Sequence, residues 1–145
     1  MTPDQMFSLA NPVALLGWIL LLAGHRQRWA IDMVVGRVIP ALFAAAYVAI
    51  VVAVFGSAPG SFSSLSGVAE LFTNRWLLLA GWLHYLAFDL LIGRWELIDA
   101  RERGIHVLLV APCLVVTLLF GPAGWLAYQI VRTAGASRAV GAPSP

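Results

Sequence analysis

The hydrophobic positions of the chain fall into four long segments. They cover residues 6–23, 38–55, 76–92 and 105–131. A helix needs about 20 apolar residues, within a range of about 17 to 25, to cross the hydrocarbon core of a bilayer. Each segment therefore predicts a transmembrane helix. The pattern as a whole predicts an all-α integral membrane protein, in which residues 1–132 form one four-helix transmembrane domain.

The polar stretch between the second and third segments has a helical pattern of its own. Apolar residues recur at helical spacing from Leu65 to Phe72, and Ser64 stands where an N-cap is expected. We therefore predict a short interfacial helix that lies flat at the membrane surface. The last stretch, residues 133–145, is small and polar and ends in proline, which predicts a disordered C-terminal tail.

The first apolar segment has some features of a secretory signal, because it is short and lies near the N-terminus. However, Asp4 stands where a signal has its basic region, and no cleavage pattern of small residues follows the apolar run. We expect this segment to remain in the mature protein as the first transmembrane helix.

The arginines predict the orientation in the membrane. Six of them lie in or beside the connections after the first and third segments: Arg26, Arg28, Arg37, Arg94, Arg101 and Arg103. The other three are Arg75, Arg132 and Arg138. Under the positive-inside rule, the two arginine-rich connections face the cytoplasm. We therefore expect a multi-pass protein of the cell inner (cytoplasmic) membrane with both termini outside.

The composition argues against several other classes of protein. The chain is 61% hydrophobic and 11% charged, and its formal net charge of +2 is too small and scattered for nucleic-acid binding. A single cysteine, Cys113, cannot form an intramolecular disulfide. His106, with Asp99 and Glu102 nearby, lacks regular ligand spacing. We therefore expect no metal and no cofactor.

Two ionisable residues lie inside the third segment: His84 near its middle and Asp89 further along. Such residues are unfavourable at membrane depth and usually face the bundle interior or a wet cavity, so both are candidate site residues. Their spacing puts them roughly 140° apart around a helix, which suggests two walls of one cavity. A purely structural interpretation also stands, in which His84 bonds to Asn11 or Thr117 and Asp89 pairs with Arg94.

The fourth segment contains two helix-breaking positions. Pro112 and Pro122 each remove a backbone donor, and Gly121 and Gly124 flank the second proline. A kink is predicted there, where neighbouring helices or water can satisfy the freed carbonyls and a cavity can open. The two glycines also fit a close packing contact between helices.

Three stretches resemble a known family. These are LSGVAELF, GWLHYLAFDLLIGRW and PCLVVTLLFGPAGWLAY. They resemble the abscisic-acid-deficient-four-like family, small four-helix membrane proteins whose plant members are associated with neoxanthin synthesis. The resemblance covers residues 8–132, and Trp82, His84, Asp89, Gly121 and Pro122 match positions of the family pattern. A lysine-free chain without the plastid-targeting extension of the plant members suggests a bacterial relative.

The resemblance implies a protein that modifies carotenoids or isoprenoids. The more specific expectation is an isomerase of carotenoid epoxides, acting on a xanthophyll-like polyene. Such an isomerase needs an acid at the epoxide oxygen and a base at the neighbouring vinylic carbon, and no redox cofactor. His84 and Asp89 are then the expected catalytic residues. The expected substrate-binding residues are Arg75, Trp82, Tyr85, Arg94 and Trp125.

Other functions remain open at this level. A non-catalytic isoprenoid- or pigment-binding protein, or an assembly protein, would keep an aromatic cleft without needing His84 or Asp89. The expected partners are the lipid bilayer and a hydrophobic polyene or isoprenoid ligand. A homo-oligomer or an enzyme partner is also compatible with the sequence. A small channel or transporter is disfavoured, because the sequence shows no convincing internal repeat.

Overall fold

The computed structural model describes residues 1–23 and 27–140, and within them the chain is helical with no strand. The elements in order are α1 (Pro3–Leu22), α2 (Arg28–Ala30), a π-helix (Ile31–Val38), α3 (Ile39–Val54), a 3-10 turn (Phe55–Ser57), α4 (Leu65–Leu71), α5 (Arg75–Glu102), α6 (Val107–Phe120) and α7 (Pro122–Val140). The all-α prediction is confirmed.

Three helical stretches are long and apolar enough to cross a membrane. They are Pro3–Leu22, Arg28–Ser57 and Arg75–Glu102, which correspond to the first three predicted segments. The fourth segment does not form a single helix of that length, since Val107–Phe120 has 14 residues. Three of the four predicted spans therefore have a matching helix in the described residues.

Side-chain caps fix where the helices begin. The Thr2 hydroxyl accepts the Gln5 N–H, and Asn74 Oδ1 accepts the Trp76 N–H at 2.9 Å, so each cap satisfies one free N–H in the first turn of α1 and α5. Ser64 caps α4 as predicted, accepting the Gly67 N–H at 3.0 Å. The predicted short helix is therefore present, while its position at the membrane interface remains a prediction.

Helix α5 lies between the other long helices, and α1 runs parallel to it. Asp4 pairs with Arg75, the first residue of α5. Further along, Trp18 packs over Gly93 so closely that an added Cβ would lie 2.7 Å from the indole ring. These contacts define two ends of the bundle, which we call the Arg75 end and the Glu102 end.

Helix α3 runs antiparallel to α5. The π-helix before it brings Asp32 to Arg94, with an Nη2–Oδ1 distance of 2.7 Å. Fifteen positions later along the chain, the ring of Tyr47 lies 5.7 Å from that of His84, nearer the Arg75 end. The chain therefore crosses from the Glu102 end to the Arg75 end through α2, the π-helix and α3.

The predicted kink near Pro122 is a complete reversal of the chain. Helix α6 ends at Gly121, whose φ of +44° lies in a region that favours glycine. An added Cβ at Gly124 would lie 2.1 Å from the backbone nitrogen of Thr117. In a continuous helix, residues seven apart are separated by about 10 Å along the axis. Helices α6 and α7 therefore form an antiparallel hairpin, with Gly124 at its tightest contact.

Contacts with α5 fix the direction of α7. Tyr128 and Arg132 both hydrogen-bond to Asp99, near the Glu102 end of α5. Gly121 lies instead beside Asp89, at the middle of α5. The hairpin therefore enters from the Glu102 end, turns halfway along α5 and returns.

This arrangement differs from the expected single fourth span with both termini on one side. The start of α1 lies at the Arg75 end, whereas Arg132 of α7 lies at the Glu102 end. Helical backbone is described as far as Val140, which includes much of the predicted disordered tail, and residues 141–145 lie outside the described residues. Arg26, one of the arginines used for the predicted orientation, also lies outside them.

The reversal predicts opposite sides of the membrane for two exposed positions. In a Cys113→Ala background, Ser63→Cys should react with a membrane-impermeant maleimide on intact cells. Ala134→Cys should react only after permeabilisation, because the positive-inside rule predicts that the arginine-rich Glu102 end faces the cytoplasm. Labelling of both cysteines on intact cells would instead support the single fourth span.

The close contact at Gly124 predicts a large effect of one methyl group. Gly124→Ala should lower stability by about 1–3 kcal/mol, because the added carbon meets backbone atoms that cannot move aside. Gly56→Ala is the matched control, since no atom lies within 4 Å of its added Cβ. Thermal melting of the purified proteins in detergent makes the comparison. Equal melting temperatures would show that the hairpin is more open than described.

Candidate functional site

Three of the predicted substrate-binding residues line one cavity between α1 and α5. Arg75, Trp82 and Tyr85 all border this space of about 570 Å³, which we call the α1–α5 groove. Trp82 is held by its Nε1–H, which donates to Asn11 Oδ1 at 2.8 Å. Its ring also lies between those of Phe7 and Tyr85, at centroid distances of 5.5 and 5.4 Å. The groove is therefore mainly apolar, with the Arg75–Asp4 ion pair at one end.

Asp89 lies behind the groove, one helical turn after Tyr85. It is only 8% exposed, and its Oδ2 is buried without a hydrogen-bond partner among the described residues. Tyr85 is near enough to interact electrostatically with the Asp89 carboxyl. On the other side, Asp89 Oδ1 lies 2.9 Å from the position of a Cβ added to Gly121. Asp89 therefore connects the groove with the start of α7, whose N-terminal dipole favours negative charge.

His84 faces a different space. It borders a cavity of about 640 Å³ next to α3, here called the His84 cavity. Its ring stacks on Phe88 at 4.6 Å and contacts Tyr47. Phe72 and Gly81 border both this cavity and the α1–α5 groove. The two predicted catalytic residues therefore do not share one cavity: His84 lines the His84 cavity, whereas Asp89 lies behind the α1–α5 groove and lines neither space.

The proposed structural partners of His84 and Asp89 are engaged elsewhere. Asn11 accepts a hydrogen bond from Trp82, and Thr117 bonds to Glu96. Arg94 pairs with Asp32 of the π-helix, so the Asp89–Arg94 pair is not formed.

Two expected substrate-binding residues lie away from both cavities. Arg94 borders a separate pocket near the Glu102 end. Trp125 is 40% exposed on α7 and borders neither the groove nor the His84 cavity. The structure therefore brings together Arg75, Trp82 and Tyr85 but not Arg94 or Trp125.

Glu96 is a buried polar residue that the sequence analysis did not identify as a candidate. Its exposed fraction is 0%, and Thr117 Oγ1 lies 3.0 and 3.1 Å from its two carboxyl oxygens. The same hydroxyl lies 3.0 Å from the Cys113 carbonyl oxygen. A threonine has one hydroxyl hydrogen, so Thr117 cannot donate a full hydrogen bond to both neighbours, and a protonated Glu96 could instead donate to the Thr117 hydroxyl oxygen. No cation among the described residues lies within ion-pair distance of Glu96, and a carboxylate buried in that way is strongly unfavourable, so we infer that Glu96 is a neutral acid.

Asp99 has the opposite environment. It accepts hydrogen bonds from the Tyr128 hydroxyl at 2.6 Å and from Nε of both Arg132 and Arg103 at 2.9 Å. Two guanidinium groups and a phenol stabilise the charged carboxylate. Asp99 therefore fastens the returning helix α7 to the Glu102 end of α5.

The residues weighed as metal ligands do not form a centre. His106 instead caps α6, where its Nδ1 accepts the Leu108 N–H at 3.3 Å. Within residues 1–23 and 27–140, no group of three or more histidine, cysteine, aspartate or glutamate side chains is placed to hold a metal ion.

The fold and the groove define an all-helical membrane protein with an apolar cavity beside a buried carboxyl group. The family model described as ABA DEFICIENT 4-like matches residues 5–128, and the chain belongs to this family. Membership indicates a membrane protein related to carotenoids or xanthophylls. No curated protein and no solved structure matches the chain.

The contrast between Glu96 and Asp99 predicts different responses to loss of charge. Glu96→Gln should change the free energy of unfolding by less than about 1 kcal/mol, because a neutral amide can also donate to Thr117. Asp99→Asn should destabilise by about 2 kcal/mol, because two arginines lose a charged acceptor. Thermal melting in detergent measures both changes. A Glu96→Gln protein as unstable as Asp99→Asn would indicate that Glu96 is ionised.

Proposed function

We propose that the protein binds a xanthophyll-like polyene and isomerises its epoxide to an allenic alcohol by acid–base catalysis. The observation that carries this proposal is the position of Asp89. A buried carboxyl group with an unpartnered oxygen lies next to Tyr85, which itself lines an apolar groove. One end ring of a xanthophyll suits such a groove, because its surface is hydrocarbon apart from the epoxide and a hydroxyl group.

The reaction needs one proton donor and one proton acceptor, and it needs no oxidant or reductant. The carbon–oxygen bond beside the polyene breaks, and its electron pair stays on the oxygen, which takes a proton and becomes a hydroxyl group. The neighbouring vinylic carbon loses a proton, and the electrons of that C–H bond form the second double bond of the allene. Product and substrate have the same atoms, because one proton is delivered and one is removed.

In this mechanism Asp89, acting through Tyr85, is the proton donor to the epoxide oxygen. The surrounding apolar side chains exclude water, which favours a neutral carboxylic acid and makes the proton transfer more effective. In the proposal, Arg75, which pairs with Asp4 at the exposed end of the groove, binds the ring hydroxyl group. Trp82, held between Phe7 and Tyr85, contributes to the aromatic wall of the groove.

His84 is the base in the same proposal. The groove and the His84 cavity adjoin at Phe72, whose ring packs against Gly81. A polyene that displaces the Phe72 side chain would pass from one cavity into the other and meet Tyr85 on one side and His84 on the other. Binding of the long substrate would thus bring the two proton-transfer groups to opposite sides of one molecule.

Substitution of Asp89 tests the proposed acid. Asp89→Asn keeps the side-chain volume but cannot deliver a proton, so conversion of the epoxide should fall by about 100-fold or more. Tyr85→Phe should also reduce conversion, whereas Arg94→Lys, at a residue outside the groove, should have little effect. Pigment extracts from cells that accumulate an epoxy-xanthophyll would be compared for each variant. A stable Asp89→Asn protein with normal activity would remove Asp89 from the mechanism.

Substitution of His84 tests the proposed base separately. His84→Leu should fold at least as well as the original chain, because it removes a polar group from an apolar cavity, and should still abolish product formation. Melting temperature and pigment composition are measured on the same preparations. Lost activity that merely follows a lowered melting temperature would indicate a structural role. Pigment that binds without conversion in the unsubstituted protein would show a binding protein rather than an enzyme.

A further inference from the structure

A second cavity with a different chemical character lies at the Glu102 end. It has a volume of about 320 Å³ and is lined by Arg28, Asp32, Arg94, Ile98, Arg101 and Glu102. We call it the arginine pocket. The lining residues come from α2, the π-helix and α5, so the pocket lies where two long helices meet, beyond their most apolar portions. Neither the groove nor the His84 cavity shares a lining residue with it.

The charges in this pocket are not balanced. Three guanidinium groups face two carboxylates, and only one close ion pair is formed, between Arg94 and Asp32. In the part of the chain that the structure describes, Arg28 and Arg101 have no carboxylate within ion-pair distance. The pocket therefore carries excess positive charge.

Hydrogen-bond donors in the pocket also lack acceptors. The Arg94 Nε and the Arg101 Nη2 are both buried and have no hydrogen-bond partner among the described residues. A buried guanidinium N–H without an acceptor is unfavourable, and native proteins rarely leave one unsatisfied. The contact between Gly36 and the Arg94 side chain restricts that arginine further, since a Cβ at Gly36 would lie 2.5 Å from Nε.

We propose that the arginine pocket binds a phosphate group. Phosphate oxygens accept several hydrogen bonds at once and match the planar donor arrangement of arginine. Such a group would neutralise the excess charge and provide acceptors in the pocket. The location supports this ligand, because basic pockets between transmembrane helices on the cytoplasmic side are typical sites for anionic lipid headgroups. A soluble phosphate compound offers the same chemistry, and the test distinguishes the two sources.

The test measures thermal melting of the full chain in nanodiscs. One arm compares phosphatidylglycerol with phosphatidylcholine, and the other adds inorganic pyrophosphate to phosphatidylcholine nanodiscs. Binding to the folded state should raise Tm by several degrees in at least one arm. A rise with phosphatidylglycerol identifies a lipid headgroup, and a rise with pyrophosphate identifies a soluble phosphate.

Two variants separate the pocket from general surface charge. Arg101→Gln should abolish the rise in Tm, and Arg103→Gln, with the same change in net charge, should retain it because Arg103 pairs with Asp99 outside the pocket. Arg28→Gln gives a second measurement, at an exposed residue that has no ion pair among the described residues, and should also reduce the rise. No rise in either arm, or equal responses from Arg101→Gln and Arg103→Gln, would overturn the proposal.

Discussion

The structure depends on satisfying polar groups where water is excluded. Helix α5 carries Asp89, Glu96 and Asp99, and all three face the hairpin of α6 and α7. The hairpin in turn has a break in its backbone at Gly121, which leaves the polar ends of two helices to be accommodated. Each element supplies what the other lacks. Asp89 lies beside the N-terminus of α7, Glu96 bonds to the Thr117 hydroxyl, and Asp99 bonds to Tyr128 and Arg132. The break at Gly121 in turn lies beside the Asp89 carboxyl group.

The same constraint explains the division of roles along α5. At the Glu102 end, Asp99 is surrounded by donors and acts as a structural anchor. One turn earlier, Glu96 is sealed from solvent and bonded to a single hydroxyl group. At mid-helix, Asp89 retains a buried oxygen without a hydrogen-bond partner among the described residues, and its carboxyl group interacts with the groove residue Tyr85. Asp89, whose Oδ2 has no hydrogen-bond partner among the described residues, is thus the carboxyl group on α5 that remains available for proton transfer.

Much of this fold can be predicted from the sequence, because the length of an apolar segment and its capping residues determine helix formation locally. The first three long helices, the short helix after Ser64 and the disruption near Pro122 were all expected on those grounds. The reversal at Gly121 is not predicted by the sequence, because proline and glycine indicate that a helix breaks but not the angle between the two helices that result. Glu96 is not among the candidate residues of the sequence analysis, although its seven-residue distance from Asp89 places both on one face of a helix. The partner of Arg94 could not be predicted either, since it depends on how the π-helix directs Asp32.

The helical hairpin also bears on how the chain enters its membrane. Both ends of the hairpin lie at the Glu102 end, so Arg103 and Arg132 stay on the same side and meet at Asp99. A fourth full crossing would have to carry Arg132 through the hydrocarbon layer, and moving an arginine to the bilayer centre is unfavourable by a few kcal/mol. A hairpin that turns halfway avoids this transfer. The last part of the chain can therefore be inserted from the side of the Glu102 end, without carrying Arg103 or Arg132 across the hydrocarbon layer.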